Sequence, residues 1–295
     1  MAPSRSTDER QRRTIAYAGS TVAIEYDGSA AELVAFLFRH APRGGDAAPQ
    51  VTYRILSSDE WGNVSLYRGE APIYHGDSIP ALAERLLGDA CHELAERSQG
   101  GLLFHAAGLA WRGRGILLPG GIGAGKTTLT AWLTARGLDY LSDEMIFFAR
   151  GSSRLMPFTR PLNLKVSSRP VLRPVFDVEA HASQILSNSL SDLVPATLLN
   201  PDSRPSEPGL DLILFPRYAA GAPFELRPLT GGQTGLALME CLVNARNLRE
   251  YGFPEAVRLA REAPAYILRY SRFEQIEEPV EELLASLLRN HSPGV

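Results

Sequence analysis

The segment Gly120-Gly121-Ile122-Gly123-Ala124-Gly125-Lys126-Thr127 constrains this chain more than any other. It fits the spacing Gly-x-x-x-x-Gly-Lys-Ser/Thr, with an apolar run before it and a helix-forming run after it. At average residue frequencies, a chain of this size matches that pattern by chance on the order of once in a hundred. Glycines at these positions let the backbone bend until consecutive N–H groups face one point, and the start of the next helix adds a partial positive charge there. Such a turn suits an anion, and it requires a strand to end on one side and a helix to begin on the other. On this reading Gly120, Gly121, Ile122, Gly123, Ala124 and Gly125 wrap phosphate oxygens, and Lys126 reaches the outer phosphates. Thr127 places its hydroxyl on Mg²⁺, with Thr128 behind it in the helix at the edge of the same site. The implied cofactors are ATP and Mg²⁺.

Lysine is otherwise almost absent. Of the 30 basic residues only Lys126 and Lys165 are lysines. Where charge alone is wanted this chain uses arginine, so each lysine marks a position suited to a compact ammonium on a flexible stem. A net charge of −3 gives no global field toward a polyanion, which argues against a nucleic-acid partner. Two cysteines, Cys91 and Cys241, are too few for a disulfide framework and fit a reducing compartment. No apolar stretch approaches the roughly 20 residues that span a bilayer, and residues 1–13 lack a signal-peptide pattern. The expectation is a cytoplasmic protein without a membrane partner.

Along the chain, residues 1–13 read as a disordered tail. Short alternating runs at 21–26, 50–56, 62–67 and 72–74, with helical patterns at 30–40 and 79–97, predict a small mixed α/β domain over 14–98. The nucleotide-binding domain then occupies 99–295. Two apolar runs, 102–111 and 115–119, are separated only by Arg112-Gly113-Arg114, which predicts an antiparallel hairpin leading into the glycine-rich turn. A helix follows over 126–136 with Gly137 as its C-cap, then strands at 138–141 and 145–148. Later elements are a strand at 210–215, helices at 233–249 and 254–262, a strand at 265–270 and an amphipathic helix at 279–290. The serine- and proline-containing stretch 167–208 reads as a long mobile connection or lid. The fold class is α/β. Trp61, Trp111 and Trp132 read as packing residues.

A nucleotide site also needs carboxylates. Asp143 and Glu144, beginning 17 residues after Lys126 at the end of the next short strand, are the first candidates. Adjacent acids on a strand end face different ways, so one can hold the metal while the other faces a reacting hydroxyl. His105 lies in the hairpin strand 15 residues before Gly120, where it can approach the γ-phosphate. Arg160, Lys165 and, with least weight, Arg217 are cations that can face the transferring phosphoryl group or an acidic acceptor.

His105, the loop 120–127 and the Asp143-Glu144 pair together resemble the HPr kinase/phosphorylase family, over about residues 101–149. The similarity implies a P-loop mixed sheet like that of phosphoenolpyruvate carboxykinase, with a hairpin before the Walker A strand. It implies Asp143 as the base toward the acceptor hydroxyl, Glu144 as a Mg²⁺ ligand and His105 as an aid at the phosphate. It further implies serine phosphorylation on a protein or peptide, and a homo-oligomer. Glu144 stands where that family usually has a second aspartate. Its Glu-x-Arg-Gly signature is replaced here by Pro157-Phe158-Thr159-Arg160-Pro161-Leu162-Asn163-Leu164-Lys165. In these respects the chain is similar to divergent members such as lasso-peptide tailoring kinases. A small-molecule kinase and a nucleotide-dependent regulatory module without transferase activity are the alternative functions.

Overall fold

Two-residue turns with positive φ start both large sheets, because their twist matches that of the strands they join. The computed structural model describes residues 10–45, 47–57 and 62–289, so Trp61 and residues 1–9 of the expected tail lie outside it. Ala18 and Gly19 join β1 (Gln11–Tyr17) to β2 (Ser20–Tyr26), and α1 (Ala31–Phe38) follows. Gln11, Arg12 and Arg13, expected in the tail, pair with Tyr26, Glu25 and Ile24 as part of β1. Then come β3 (Val51–Ser57), β4 (Val64–Arg68), β5 (Ala71–Gly76) and α2 (Ile79–Glu96), whose N-cap Ser78 accepts the Ala81 N–H. These strands form one sheet in sequence order, parallel only at β2–β3. Its core is not separate from the rest, since Leu103, Met145, Phe147, Phe158 and Leu193 pack into it.

Arg112 and Gly113 turn β6 (Gly101–Trp111) into β7 (Arg114–Pro119), and the two pair antiparallel. Next are α3 (Lys126–Ala135), β8 (Asp139–Ser142) and β9 (Met145–Ala149), the last two both pairing with β6. Gly137, with φ 97°, ends α3 by donating to Thr134.

The stretch 167–208 is folded rather than a loose connection. After β10 (Met156–Pro157), the strands β11 (Leu162–Lys165), β12 (Leu186–Ser187) and β13 (Ser191–Val194) make a three-stranded sheet. With them go the short helices α4 (Arg169–Leu172) and α5 (Ala196–Leu199). Leu172, Phe176, Ile185, Val194 and Leu199 are buried in the core under α3, so burial of scattered apolar residues overrides the polar composition.

The chain finishes with β14 (Gly209–Tyr218), β15 (Glu225–Pro228), α6 (Gly231–Cys241), α7 (Phe253–Leu259), β16 (Ala265–Tyr270) and α8 (Glu277–Arg289). The helix expected over 233–249 stops at Cys241. Leu242 turns extended to bridge Phe104, and the Asn244 side chain accepts from Leu103 N–H and donates to Gly101 C=O. Pairing to the edge of β6 wins over helix propensity there. The described residues thus form an α/β protein whose eight-stranded mixed sheet runs β10-β9-β6-β7-β14-β16-β15, with β8 also on β6. No helix among them is long and apolar enough to cross a membrane.

Candidate functional site

Strand direction decides where the chemistry gathers. β7, β14 and β16 are mutually parallel, so their carboxyl ends share one edge of the sheet, where open α/β sheets place ligands. The turn 120–125 leaves that end of β7. Strand β6 runs the other way: Ala106 pairs with Pro119, which puts His105 just past the end of β7. His105 in turn pairs with Met145, bringing Glu144 and Asp143 to the same edge.

The turn is built by glycine. Gly123 and Gly125 have φ of 84° and 91°, a region other residues enter at a cost of about 1–3 kcal/mol. A Cβ on Gly125 would also lie 2.9 Å from Tyr218 Cβ. Gly125 is the N-cap of α3, so Lys126 opens the helix and its stem folds back over the turn. Its Nζ donates to Gly120 C=O at 2.6 Å and Gly121 C=O at 3.0 Å, and lies 3.0 Å from His105 Nε2. An ammonium has no lone pair to offer, so Nε2 accepts and the ring proton sits on Nδ1. That Nδ1 faces Glu144 Oε1 at 3.2 Å. Burial holds the Lys126 ammonium below the ordinary lysine value, with Glu144 opposing the shift.

From Glu144 the network continues inward. Arg160 Nη2 donates to Glu144 Oε2 at 3.0 Å and meets Asp143 Oδ1 at 3.2 Å. Asp143 also accepts from the Tyr140 hydroxyl at 3.1 Å and from Asn163 N–H at 3.3 Å. Burial alone would raise the Glu144 carboxyl; the His105 hydrogen bond and the Arg160 charge outweigh it and bring it down to about 2. Arg160 is buried, which weakens its charged form, but Asp143 and Glu144 more than restore it and its guanidinium is raised overall.

The two acids therefore differ. Both oxygens of each acid are engaged, but Glu144 is partly open, its side chain 37% exposed, whereas Asp143 is 1% exposed. Lys126, His105, Arg160, Asp143 and Glu144 come together as the residue types suggested. Thr127 and Thr128 line an adjacent cleft of about 340 Å³ together with Lys165. Arg217 does not line that cleft; its neighbour Tyr218 does, because successive strand residues face opposite ways. Tyr140, Asn163 and Tyr218 had no local signal. Their positions in sequence carry no motif, and only the sheet brings them in. Trp132 stacks on Phe273 with centroids 4.8 Å apart, a packing contact.

No protein-family model matches the chain, and no curated protein matches its sequence.

Proposed function

We propose that this protein is an ATP- and Mg²⁺-dependent kinase that phosphorylates a serine-type hydroxyl on a protein or peptide. The observation that carries the reading is the unbroken chain of contacts from the glycine turn through Lys126, His105 and Glu144 to Arg160 and Asp143. It joins an anion-binding turn to a cation and two carboxylates within one residue's reach of each other, as phosphoryl transfer needs. The mixed sheet with a hairpin before the turn supports a phosphoenolpyruvate carboxykinase-like or HPr kinase-like P-loop fold, with the small N-terminal domain expected over 14–98 beginning instead at Gln11. A cytoplasmic homo-oligomer is part of the same reading.

In the reaction the acceptor oxygen forms a bond to the γ-phosphorus while the bond from that phosphorus to the β–γ bridging oxygen breaks, and ADP leaves. Lys126 and the N–H groups of the turn neutralise charge on the phosphate oxygens. Mg²⁺ suits these residues, because it favours one or two protein oxygens plus substrate phosphates; Thr127 and Glu144 would hold it, and it would supply charge neutralisation. The resemblance gives Glu144 to the metal and the hydroxyl proton to Asp143, and Glu144, with its side chain 37% exposed, is the more accessible of the two. That role requires Arg160 to leave Asp143. Arg160 reaches Asp143 through a single nitrogen that it shares with Glu144, so it can keep Glu144 when it releases Asp143.

The test is incubation with ATP and serine-bearing candidate acceptors, read by mass spectrometry for added phosphate. Lys126→Ala is expected to lose phosphate transfer and to weaken ATP binding. Asp143→Asn is expected to keep ATP binding and lose transfer. Full-rate transfer by Asp143→Asn would remove Asp143 as the base, and full-rate transfer by Lys126→Ala would end the kinase reading.

A further inference from the structure

We infer that the base and ribose of the nucleotide donor occupy the cleft walled by Tyr218 and Val171. The inference rests on the anion-binding reading of the glycine turn given above.

A bare polyphosphate needs only the turn, the start of α3 and Lys126. The cavity does not end there. It runs from Gly125, Lys126, Thr127 and Thr128 past β11 to α4 and the carboxyl ends of β14 and β16. At about 340 Å³ it falls in the roughly 300–1,000 Å³ range of small-molecule sites.

Its far walls are apolar yet open to water. Tyr218 is 49% exposed and Val171 41% exposed, and they come from different elements. Large apolar side chains left open on the walls of one concavity mark a place where something apolar is meant to sit. Tyr218 is also fixed. Its N–H donates to Ala124 C=O within the turn at 3.1 Å, and its ring meets buried Tyr270 edge-on, with centroids 5.9 Å apart. A ring whose backbone is tied to the phosphate-binding turn is already positioned for stacking on a base linked to those phosphates.

Charge points the same way. Three cations line the cleft, Lys126, Lys165 and Arg272, and no aspartate or glutamate does among the described residues. Both lysines of the chain thus serve one cavity, at either side of the start of α3. Lys165 and Arg272 can meet the inner phosphate, and Ser167 and Ser168 line the same side of the cleft.

Calorimetric titration of the full chain with Mg·ATP and with Mg·tripolyphosphate tests this. The wild type should bind ATP more tightly than tripolyphosphate. Tyr218→Ala should weaken ATP binding roughly tenfold, the scale of one base–aromatic stack, and leave tripolyphosphate unchanged. Tyr218→Phe should restore ATP binding, and Val171→Ala should lower ATP affinity alone by a smaller factor. Should Tyr218→Ala lose its melting transition, the Val171→Ala comparison decides. Equal loss for both ligands, or no loss for either, overturns the base site while leaving the phosphate reading intact. If the wild type binds neither ligand, the reading of the turn itself fails.

Discussion

Asp143 and Asp192 are both buried, at 1% and 0% exposure, and both face an arginine, but the two pairs are completed differently. Asp192 accepts from Arg169 Nε at 2.8 Å, from Arg169 Nη2 at 2.6 Å and from the Ser187 hydroxyl at 2.6 Å. That is a two-pronged pair whose remaining nitrogen, Nη1, lies 3.8 Å from Glu179 Oε1, a geometry that fixes the small sheet of β11, β12 and β13. Arg160 instead shares one nitrogen between Asp143 and Glu144, and its buried Nε has no partner. The comparison separates a two-pronged ion pair within one small sheet from a single nitrogen shared by two acids beside the glycine turn.

The largest effect should come from truncating each arginine. Arg169→Ala strands a fully buried carboxylate and should cost about 3–5 kcal/mol in denaturant unfolding, with turnover per folded molecule at saturating ATP preserved. Arg160→Ala should lower stability by a comparable amount and also abolish transfer. If Arg160→Ala destabilises but its folded fraction turns over normally, the two pairs do the same job and the distinction is lost.

A smaller effect distinguishes the acids by pH. The folded value of Glu144, about 2, lies below its ordinary value of 4.5. Its contribution to stability is therefore complete above pH 4.5 and is lost as pH falls toward 2. Glu144→Gln should flatten the acid limb of the melting-temperature profile in that window. An unchanged limb would mean that the contacts of Glu144 with His105 and Arg160 do not hold in solution.

The smallest effect concerns Lys126. Its ammonium is held low by burial, and bound phosphate would favour the charged form. ATP binding should therefore take up protons on the alkaline side, and affinity should fall as pH rises there, earlier than for an exposed lysine. Titration in buffers of different ionisation enthalpy reads the proton uptake directly. No buffer dependence would place the charge elsewhere.

Much of the site could be read locally. The spacing of Gly120, Gly125 and Lys126 predicts a turn between strand and helix because only glycine enters the left-handed region freely, and the observed φ values at Gly123 and Gly125 follow that rule. The hairpin before it was legible because so short a link between apolar runs leaves the second strand little choice but to fold back. Other features were hidden. Arg160 is one arginine among many, and nothing near it in sequence shows that it becomes buried between two acids. Asn163 is placed by its backbone N–H, which carries no side-chain signature at all. The stretch 167–208 looked polar because its serines and prolines outnumber its core residues, yet five or so well-placed apolar side chains were enough to anchor it under α3.

The amino-acid order by itself determined those parts whose physics spans a few neighbours: the glycine turn, the first turn of α3 with Lys126 in it, the alternation of strands and helices, and the absence of a large charge imbalance. Tertiary structure decided which distant groups met there. Antiparallel pairing of β6 with β7 and β9 set His105 beside Glu144, and parallel pairing of β7 with β14 set Tyr218 against Gly125. The reason is one of range: backbone conformation is limited by contacts between adjacent residues, whereas burial and ion pairing depend on strands that the chain brings together across tens of intervening residues.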